Sequence, residues 1–393
     1  MDYKLYNTVK EIRTAGKSDE EIMKDLYSLW QECFEDTDSY TDFYFKWKMK
    51  DNRVLSIYKQ ERPSAMLHLN PYMVMAGGKP EPLNYIVGVA TRQQDRRQGL
   101  MKMLLETSLY QMYEEHMPFT YLMPAAEAIY LPFGFRTVYE QEPWKRELIN
   151  AGHKSNAGEL SCIYSAKDIK VYGIKSTDEE EIAELTAFTN HFLAKNYDIY
   201  TERSPYYYKR LIHEMESGKG EVLLLTLRGE ISGYISYMTD GGLGIGECIC
   251  KPEDKELFIK AAAGKIGAKN HGSGTDTRHF TPKIMVRIVN WKAFIKNITA
   301  EEEVTLLLKV EDSIIHENNG VYRLRFTEYG CQAARTEEEP EFGADIAELT
   351  RLFFGKLNEE ETAARVIKGD HREIMNKINK LKVYRKLFIN DIV

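Results

Sequence analysis

The sequence of 393 residues is long enough for two to four domains, and its 43% of hydrophobic residues can fill their cores. The formal net charge of −7 argues against a general nucleic-acid-binding protein. An acidic balance suits a cationic substrate, but it is also ordinary for a soluble protein. Five scattered cysteines favour a reducing compartment.

Targeting and metal signals are missing from the sequence. No basic-then-apolar signal opens the chain, and no segment has the roughly 20 apolar residues that a membrane helix needs. The nine histidines are dispersed, without the spacing of a metal site. We therefore expect a cytoplasmic protein with no metal, no membrane partner and no nucleic-acid partner.

The first predicted elements are two helices between Lys10 and Phe34, the second capped by Ser18. Residues 35–47 then mix carboxylates with aromatic side chains, among them Asp36, Asp38 and Trp47. From its composition alone, this stretch fits the capped start of a helix followed by a solvated acidic loop.

Strands follow. Val54–Tyr58 and Ser64–Asn70 alternate as paired strands do, with a turn at residues 61–63. The apolar, β-branched run from Tyr85 to Thr91 predicts a buried strand. A polar turn then leads to an amphipathic helix that begins near Leu100.

The turn before this helix has the composition of a phosphate site. The first amides of a helix have no intrahelical partner, and the helix dipole adds partial positive charge there. Arg96 and Arg97 contribute fixed positive charge, and Gly99 lets a ligand approach the backbone closely. The alternative is a strand, basic turn and helix without any ligand, which occurs in many α/β proteins.

A second strand is predicted at residues 119–124, followed by a short helix-like turn and the segment Ile129–Phe135. Arg96-x-x-Gly99 resembles the pyrophosphate loop of the GNAT superfamily of acyl-CoA-dependent N-acyltransferases, although Met101 stands where that family usually has a small residue. Tyr130-x-x-Phe-Gly-Phe resembles its closing motif. Together, the two motifs are similar to those of the Eis (enhanced intracellular survival) branch.

The resemblance implies acetyl-CoA as the cofactor. Its pyrophosphate is expected at the loop, and its pantetheine arm is expected to pair with the exposed backbone of the preceding strand. A bulge at Gly88 would open that strand. The expected cofactor-binding residues are Val87, Val89, Thr91, Arg96, Arg97, Gly99, Leu100 and Ala125.

The resemblance also implies the chemistry. Tyr130 is the expected general acid, since a phenol with a pKa near ~10 stays protonated at neutral pH and can return a proton to the leaving thiolate. Asp36, Asp38 and Trp47 are expected to bind the acceptor, a primary amine of a cationic small molecule (an aminoglycoside-like polyamine) or a lysine ε-amine.

The central region repeats the outline of the first. A helix candidate at 178–194, a hairpin at 221–238, a strand near 246–250 and a helix from 252 follow one another. The turn Lys251–Lys255 has no Arg-x-x-Gly, and its two carboxylates would repel a pyrophosphate. This copy should not bind CoA. Residues 270–281 have the composition of a linker.

The last region, with strands at 285–290, 304–310 and 321–326 and helices at 346–354 and 367–381, resembles a sterol-carrier-like domain. We therefore predict an α+β (α/β-like) protein with tandem GNAT domains, 1–144 catalytic and 145–281 degenerate, followed by a sterol-carrier-protein-like domain at 282–393.

The apolar end of the chain is expected to dock. By resemblance, the terminal carboxylate of Val393 reaches the active site and assists amine deprotonation, and the chain forms a homo-oligomer, a hexamer. The alternative function is a non-catalytic scaffold or a lipid-binding protein that uses the carrier-like domain.

Overall fold

The computed structural model describes residues 4–6, 16–154, 168–267 and 282–389. The first unit runs from β1 to β6. Its elements are β1 (Lys4–Tyr6), α1 (Asp19–Cys33), α2 (Asp38–Phe43), a π-helical turn (Tyr44–Lys48), β2 (Arg53–Lys59), β3 (Arg62–Ala76), β4 (Lys79–Thr91), a 3-10 turn (Gln93–Asp95), α3 (Leu100–Glu114), β5 (Phe119–Leu122), α4 (Glu127–Tyr130), a 3-10 turn (Leu131–Phe133) and β6 (Arg136–Glu140).

The start of α1 follows from its sequence. Ser18 and Glu21 form a reciprocal capping box, which satisfies two amides at the helix end. The predicted cap at Ser18 is therefore confirmed, whereas the predicted helix before it falls on residues outside the described ranges. The buried face of α1 consists of Ile22, Leu26, Leu29 and Trp30.

The elements of the central unit are α5 (Trp144–Lys154), β7 (Ile169–Ile174), α6 (Glu179–Asn196), β8 (Ile199–Thr201), α7 (Pro205–Ser217), β9 (Glu221–Leu227), β10 (Glu230–Met238), β11 (Gly244–Cys250), a 3-10 turn (Pro252–Asp254) and α8 (Lys255–Ile266). From β7 to α8 the central unit repeats the order strand, two helices, three strands, 3-10 turn and helix that the first unit has from β1 to α3, with the short strand β8 inserted between the two helices. Its sheet has the order β11-β10-β9-β7. The predicted hairpin and both helices are confirmed.

The turns that precede α3 and α8 match in detail. The amide of Arg92 donates to the carbonyl of Ser64 at 2.8 Å, and the amide of Lys251 donates to that of Ser232 at 2.9 Å. In the first unit, four residues then separate Asp95 from α3, whereas in the central unit α8 begins directly after its 3-10 turn. The central unit therefore lacks any counterpart of the loop 96–99.

The third unit contains the remaining elements. They are β12 (Lys283–Ile288), α9 (Trp291–Ile295), β13 (Thr299–Ala300), β14 (Val304–Glu311), a 3-10 turn (His316–Asn318), β15 (Gly320–Thr327), β16 (Gly330–Arg335), β17 (Phe342–Asp345), α10 (Ile346–Phe353), α11 (Glu359–Ala363), α12 (His371–Asn379), β18 (Leu381–Lys382) and β19 (Leu387–Phe388). A sheet of order β16-β15-β14-β17 packs against its helices.

The largest sheet takes strands from all three regions of the sequence. Its main path is β1-β2-β3-β4-β5-β12-β6. The strand Lys283–Ile288, which the sequence groups with the third unit, pairs antiparallel with both β5 and β6. The first and third units also share a core, since Phe119 of β5 contacts the rings of Phe294 and Phe354.

The docking of the chain end is confirmed as far as the structure describes it. β19 pairs in parallel with β8, which itself pairs with the end of β3. Leu387, Phe388 and Ile389 are buried. The predicted role of Val393 and the predicted linker at 270–281 lie outside the described residues. Over the described ranges, every helix is too short or too polar to traverse a bilayer.

Candidate active site

The strands β4 and β5 separate at the centre of the large sheet. Their parallel ladder consists of two pairs, Tyr85 with Tyr121 and Ile86 with Leu122. Beyond these, β5 ends while β4 continues to Thr91. Between these two strands, the backbone of residues 87–91 thus faces an opening and not a neighbouring ladder. Polar backbone groups in such a place need a partner, and an extended ligand arm can supply it.

A bulge in β4 lies at this opening. Met66 pairs with Ala90 and His68 pairs with Val87, so that two residues of β4 oppose one residue of β3. Gly88 has φ +60°, and a Cβ added there would lie 2.7 Å from the ring of Trp30. Both the backbone angle and the close approach require glycine. The predicted bulge at Gly88 is confirmed.

The loop before α3 is exposed and open. Gly99 is the N-cap of α3 with φ +78°, and a Cβ added there would contact nothing within 4 Å. The residues Arg96, Arg97 and Gly99 are exposed, whereas Leu100 is buried and anchors the first turn of the helix. The first amides of α3 therefore lie in reach of an anion.

Charged contacts hold the base of this loop. Asp95 is buried and pairs with Lys59 at 3.3 Å. Arg92 pairs with Glu32 and donates its Nε hydrogen to the carbonyl of Pro63 at 3.1 Å. Arg96 donates its Nε hydrogen to the carbonyl of Thr91 at 3.2 Å, which links the loop to the open end of β4.

Tyr130 ends α4 and lies in the core beneath α3. It is 7% exposed and belongs to the same cluster as Ile86, Leu122 and Leu100. The ring of Tyr130 therefore packs in the same hydrophobic cluster as Ile86 and Leu122, the last residues of the β4–β5 ladder. Burial raises the pKa of Tyr130 to about 12, so the phenol is protonated throughout the neutral range.

The three residues expected to bind the acceptor do not form one group. Asp36 accepts a hydrogen bond from the indole of Trp30 at 2.9 Å, and burial of its carboxyl raises its pKa. Asp38 accepts one from Gln31 at 3.0 Å on the exposed surface. Trp47 stacks on His213 of the central unit, with ring centroids 4.4 Å apart.

Ala125, which was expected to bind the cofactor, is exposed just beyond the end of β5.

A polar cluster behind the bulge was not predicted. The amide of Asn52 donates to the hydroxyl of Tyr44, which lies 2.9 Å from Nδ1 of His68. Burial lowers the pKa of His68 to about 3, so the ring is neutral. The signal in the sequence is the period of two at His68, Asn70 and Tyr72, which sets polar side chains on one face of a buried strand.

A cavity of about 230 Å³ lies where the first unit meets α7. Its wall contains a buried ion pair between Lys48 and Glu214, with 3.0 Å between Nζ and Oε2. The other carboxylate oxygen of Glu214 has no hydrogen-bond partner among the described groups. Tyr72 of this wall contacts Tyr85, whose ring lies 5.2 Å from that of Tyr121 at the separating strands. A row of three contacting tyrosine rings thus extends from the wall of the cavity to the separating strands.

No group of His, Cys, Asp and Glu side chains within the described ranges is arranged to hold a metal ion.

Comparison with known proteins identifies two domains. Residues 11–138 match the acetyltransferase (GNAT) domain family, and residues 291–381 match the sterol carrier protein domain family. No curated protein matches the chain in sequence at a significant level.

Solved structures share the architecture over the full length. A probable N-acyltransferase from Enterococcus faecalis has 16% identity and a TM-score of 0.74, with 98% of this chain and 99% of that chain covered. A GCN5-related N-acetyltransferase from Anabaena variabilis has 16% identity and a TM-score of 0.73, with both chains fully covered. Eis1 from Mycobacterium abscessus has 12% identity and a TM-score of 0.64, with 99% of each chain covered.

Proposed function

The chain carries a GNAT acetyltransferase domain in an Eis-like architecture, and from this premise we propose that it transfers the acetyl group of acetyl-CoA to a primary amine. The observation that carries the proposal is the opening between β4 and β5 beyond Ile86 and Leu122. It is flanked by the bulge at Gly88 and leads to the exposed loop before α3. A thioester arm and a pyrophosphate fit these two features.

On this proposal, the cofactor binds along one continuous path. The pyrophosphate lies at the α3 amides, with charge from Arg96 and Arg97 and close backbone approach at Gly99. The pantetheine arm pairs with the backbone of Val87, Val89 and Thr91. Leu100 fixes the helix start, and Ala125 borders the far side of the opening. The hydrogen bond from Arg96 to the Thr91 carbonyl would then break, and that carbonyl would accept a hydrogen bond from the cofactor.

Tyr130 acts as the general acid in this mechanism. The tetrahedral intermediate collapses to an amide and a thiolate, and the phenol supplies the proton for that thiolate. Burial favours this role in one respect, since the raised pKa keeps the proton in place until it is needed. A buried, protonated phenol also costs little desolvation when the arm enters.

Deprotonation of the acceptor is the harder step. With a pKa near 10.4, only about one in two thousand primary amines is neutral at pH 7. A terminal carboxyl with a pKa near 3.5 is about seven units too weak to deprotonate the ammonium outright. We propose that the carboxylate of Val393 orients the amine and assists its deprotonation, since the described end of the chain enters the large sheet beside β8.

The acceptor we propose is cationic, either an aminoglycoside-like polyamine or a lysine ε-amine. The carboxyl of Asp36, which accepts a hydrogen bond from Trp30, and the second carboxylate oxygen of Glu214, which has no partner among the described groups, support a positively charged ligand. Trp47 stacks on His213 of α7, the helix that also carries Glu214, whereas Asp38 accepts a hydrogen bond from Gln31 on the exposed surface. We further propose a homo-oligomer, a hexamer in keeping with the architecture, which sedimentation velocity tests directly.

The test of the cofactor site is titration calorimetry of acetyl-CoA into the untagged protein. We expect one site per chain, because the central unit has no counterpart of the loop 96–99. Arg96→Ala should weaken binding about tenfold, equivalent to one charge-assisted hydrogen bond. Arg62→Ala, at an exposed arginine of the β2–β3 hairpin, is the matched control and should bind normally. Absence of binding, checked by a second method that does not depend on heat, would refute the enzymatic function, and two sites per chain would refute the prediction that the central unit does not bind CoA.

Extension of the chain past Val393 by a short tag should cut turnover strongly and leave acetyl-CoA binding nearly intact. The physical reason is that the extension removes the terminal carboxylate from its place and puts a peptide group there. Turnover and calorimetry on tagged and untagged protein give the answer. Equal turnover in the tagged and untagged proteins would show that Val393 contributes to packing only.

A further inference from the structure

Arg287 lies in β12 with its side chain fully buried, at the junction of the first and third units. A buried guanidinium is costly unless its donors are satisfied. It donates from Nε to the carbonyl of Phe133 at 2.7 Å and from Nη1 to the carbonyl of Ile288 at 2.8 Å. Nη2 contacts both carboxylate oxygens of Asp312, at 2.8 and 3.0 Å.

Asp312 is itself held firmly by the third unit. Its carboxylate accepts hydrogen bonds from the amides of Ile314 and Ile315, at 2.9 and 3.0 Å. The side-chain amide of Asn318 donates to it at 2.9 Å. The carboxylate therefore has a position fixed by the backbone of the segment after β14, and it transmits that position to Arg287.

The other end of this contact is the turn after Tyr130. Residues 131–133 form a 3-10 turn that follows Tyr130 directly, and Gly134 ends it with φ +82°. A Cβ added at Gly134 would lie 3.2 Å from Nε of Arg287 and 3.3 Å from Cγ2 of Ile346. The turn is thus pressed against the guanidinium on one side and against α10 of the third unit on the other.

We propose that Arg287, fixed by Asp312, is a positioning residue for Tyr130, so that the sterol-carrier-like unit contributes directly to acetyl transfer. The inference rests on the proposed role of Tyr130. The carbonyl of Phe133 is three residues from the phenol, and the short turn between them transmits its position. A displacement of about 1 Å at a reacting group can reduce a rate by about 100-fold.

Arg287→Lys separates positioning from charge. Lysine keeps a cation for Asp312, but it lacks the planar fork that also reaches the Phe133 carbonyl. We expect kcat to fall about tenfold while the acetyl-CoA dissociation constant stays within twofold. A loosened turn also admits water to Tyr130, so its pKa should fall from about 12 and an alkaline decline in kcat should appear near pH 10.

Arg325→Lys is the matched control. Arg325 also forms a fork with a carboxylate of the third unit, Glu303, at 2.7 and 2.9 Å, but it is exposed on β15 and does not contact the Tyr130 turn. Its kinetics should match those of the parent protein. Melting curves identify loss of folding. If Arg287→Lys fails to fold, Gly134→Ala, whose Cβ would lie 3.2 Å from Nε of Arg287, displaces the turn from the guanidinium while both partners of the ion pair remain, and the same kinetic measurements apply.

The double variant Tyr130→Phe with Arg287→Lys is decisive. If Arg287 acts through Tyr130, the second substitution adds little to the loss caused by the first, whereas a separate structural effect multiplies with it. A multiplicative loss, or full kcat in folded Arg287→Lys, overturns the proposed role of Arg287 and leaves the proposed role of Tyr130 in place. Full activity in Tyr130→Phe itself overturns the proposed acid, and the inference with it.

Discussion

Tyr130→Phe should lower kcat by about 100- to 10,000-fold, the range that a positioned general acid contributes. The leaving thiolate would then have to take its proton from water. Acetyl-CoA affinity should stay within twofold, since the ring and its contacts with Ile86 and Leu122 remain. Stability should hardly change, because no hydrogen bond joins the hydroxyl to the described residues.

The measurement is steady-state kinetics with a primary amine acceptor, together with calorimetry of acetyl-CoA. Tyr113→Phe, at a half-buried tyrosine near the end of α3, is the matched control and should keep full turnover. Full turnover in Tyr130→Phe would assign the proton to another group and remove the chemical role of this residue.

Gly88→Ala should have the second large effect, on both folding and cofactor binding. Its Cβ would lie 2.7 Å from the ring of Trp30, a distance that real Cβ atoms do not adopt. The backbone angle of φ +60° adds roughly 1 kcal/mol of strain. We expect a loss of about 3 kcal/mol in the free energy of unfolding, and acetyl-CoA binding weakened at least tenfold as the bulge shifts.

Gly229→Ala isolates the two causes. Gly229 has φ +89° in the β9–β10 turn, and a Cβ added there meets nothing within 4 Å. It should cost about 1 kcal/mol from the backbone angle and leave acetyl-CoA binding unchanged. Denaturant unfolding of both variants gives the comparison. Equal losses in the two would show that the contact with Trp30 does not matter, and unimpaired binding in Gly88→Ala would separate the bulge from the cofactor.

The sequence predicted the features that depend on neighbouring residues. The cap at Ser18, the β9–β10 hairpin and the start of α3 near Leu100 are set by local hydrogen bonds and turn residues, so their patterns are legible in single stretches. The bulge at Gly88 was predictable because an isolated glycine in a strand often marks one.

Other features depend on distant partners and left no such pattern. The apolar run at 283–288 predicts a strand, but only the assembled sheet places it between β5 and β6. Asp36 and Trp47 were grouped by composition, yet Trp30 and His213 decide where they lie. Arg287 in a strand pattern gives no sign of Asp312, since an ion pair across 25 positions has no period.

The position of β12 has a consequence for synthesis. On the ribosome, β6 is complete 143 positions before the first residue of β12 emerges. At about 5–20 residues per second, the facing edges of β5 and β6 wait roughly 7–30 seconds for the strand that joins them. Unpaired edges invite pairing with other chains. The described elements of the central unit, α5 to α8, are synthesised during this interval, so the large sheet can close only after the central unit has been made.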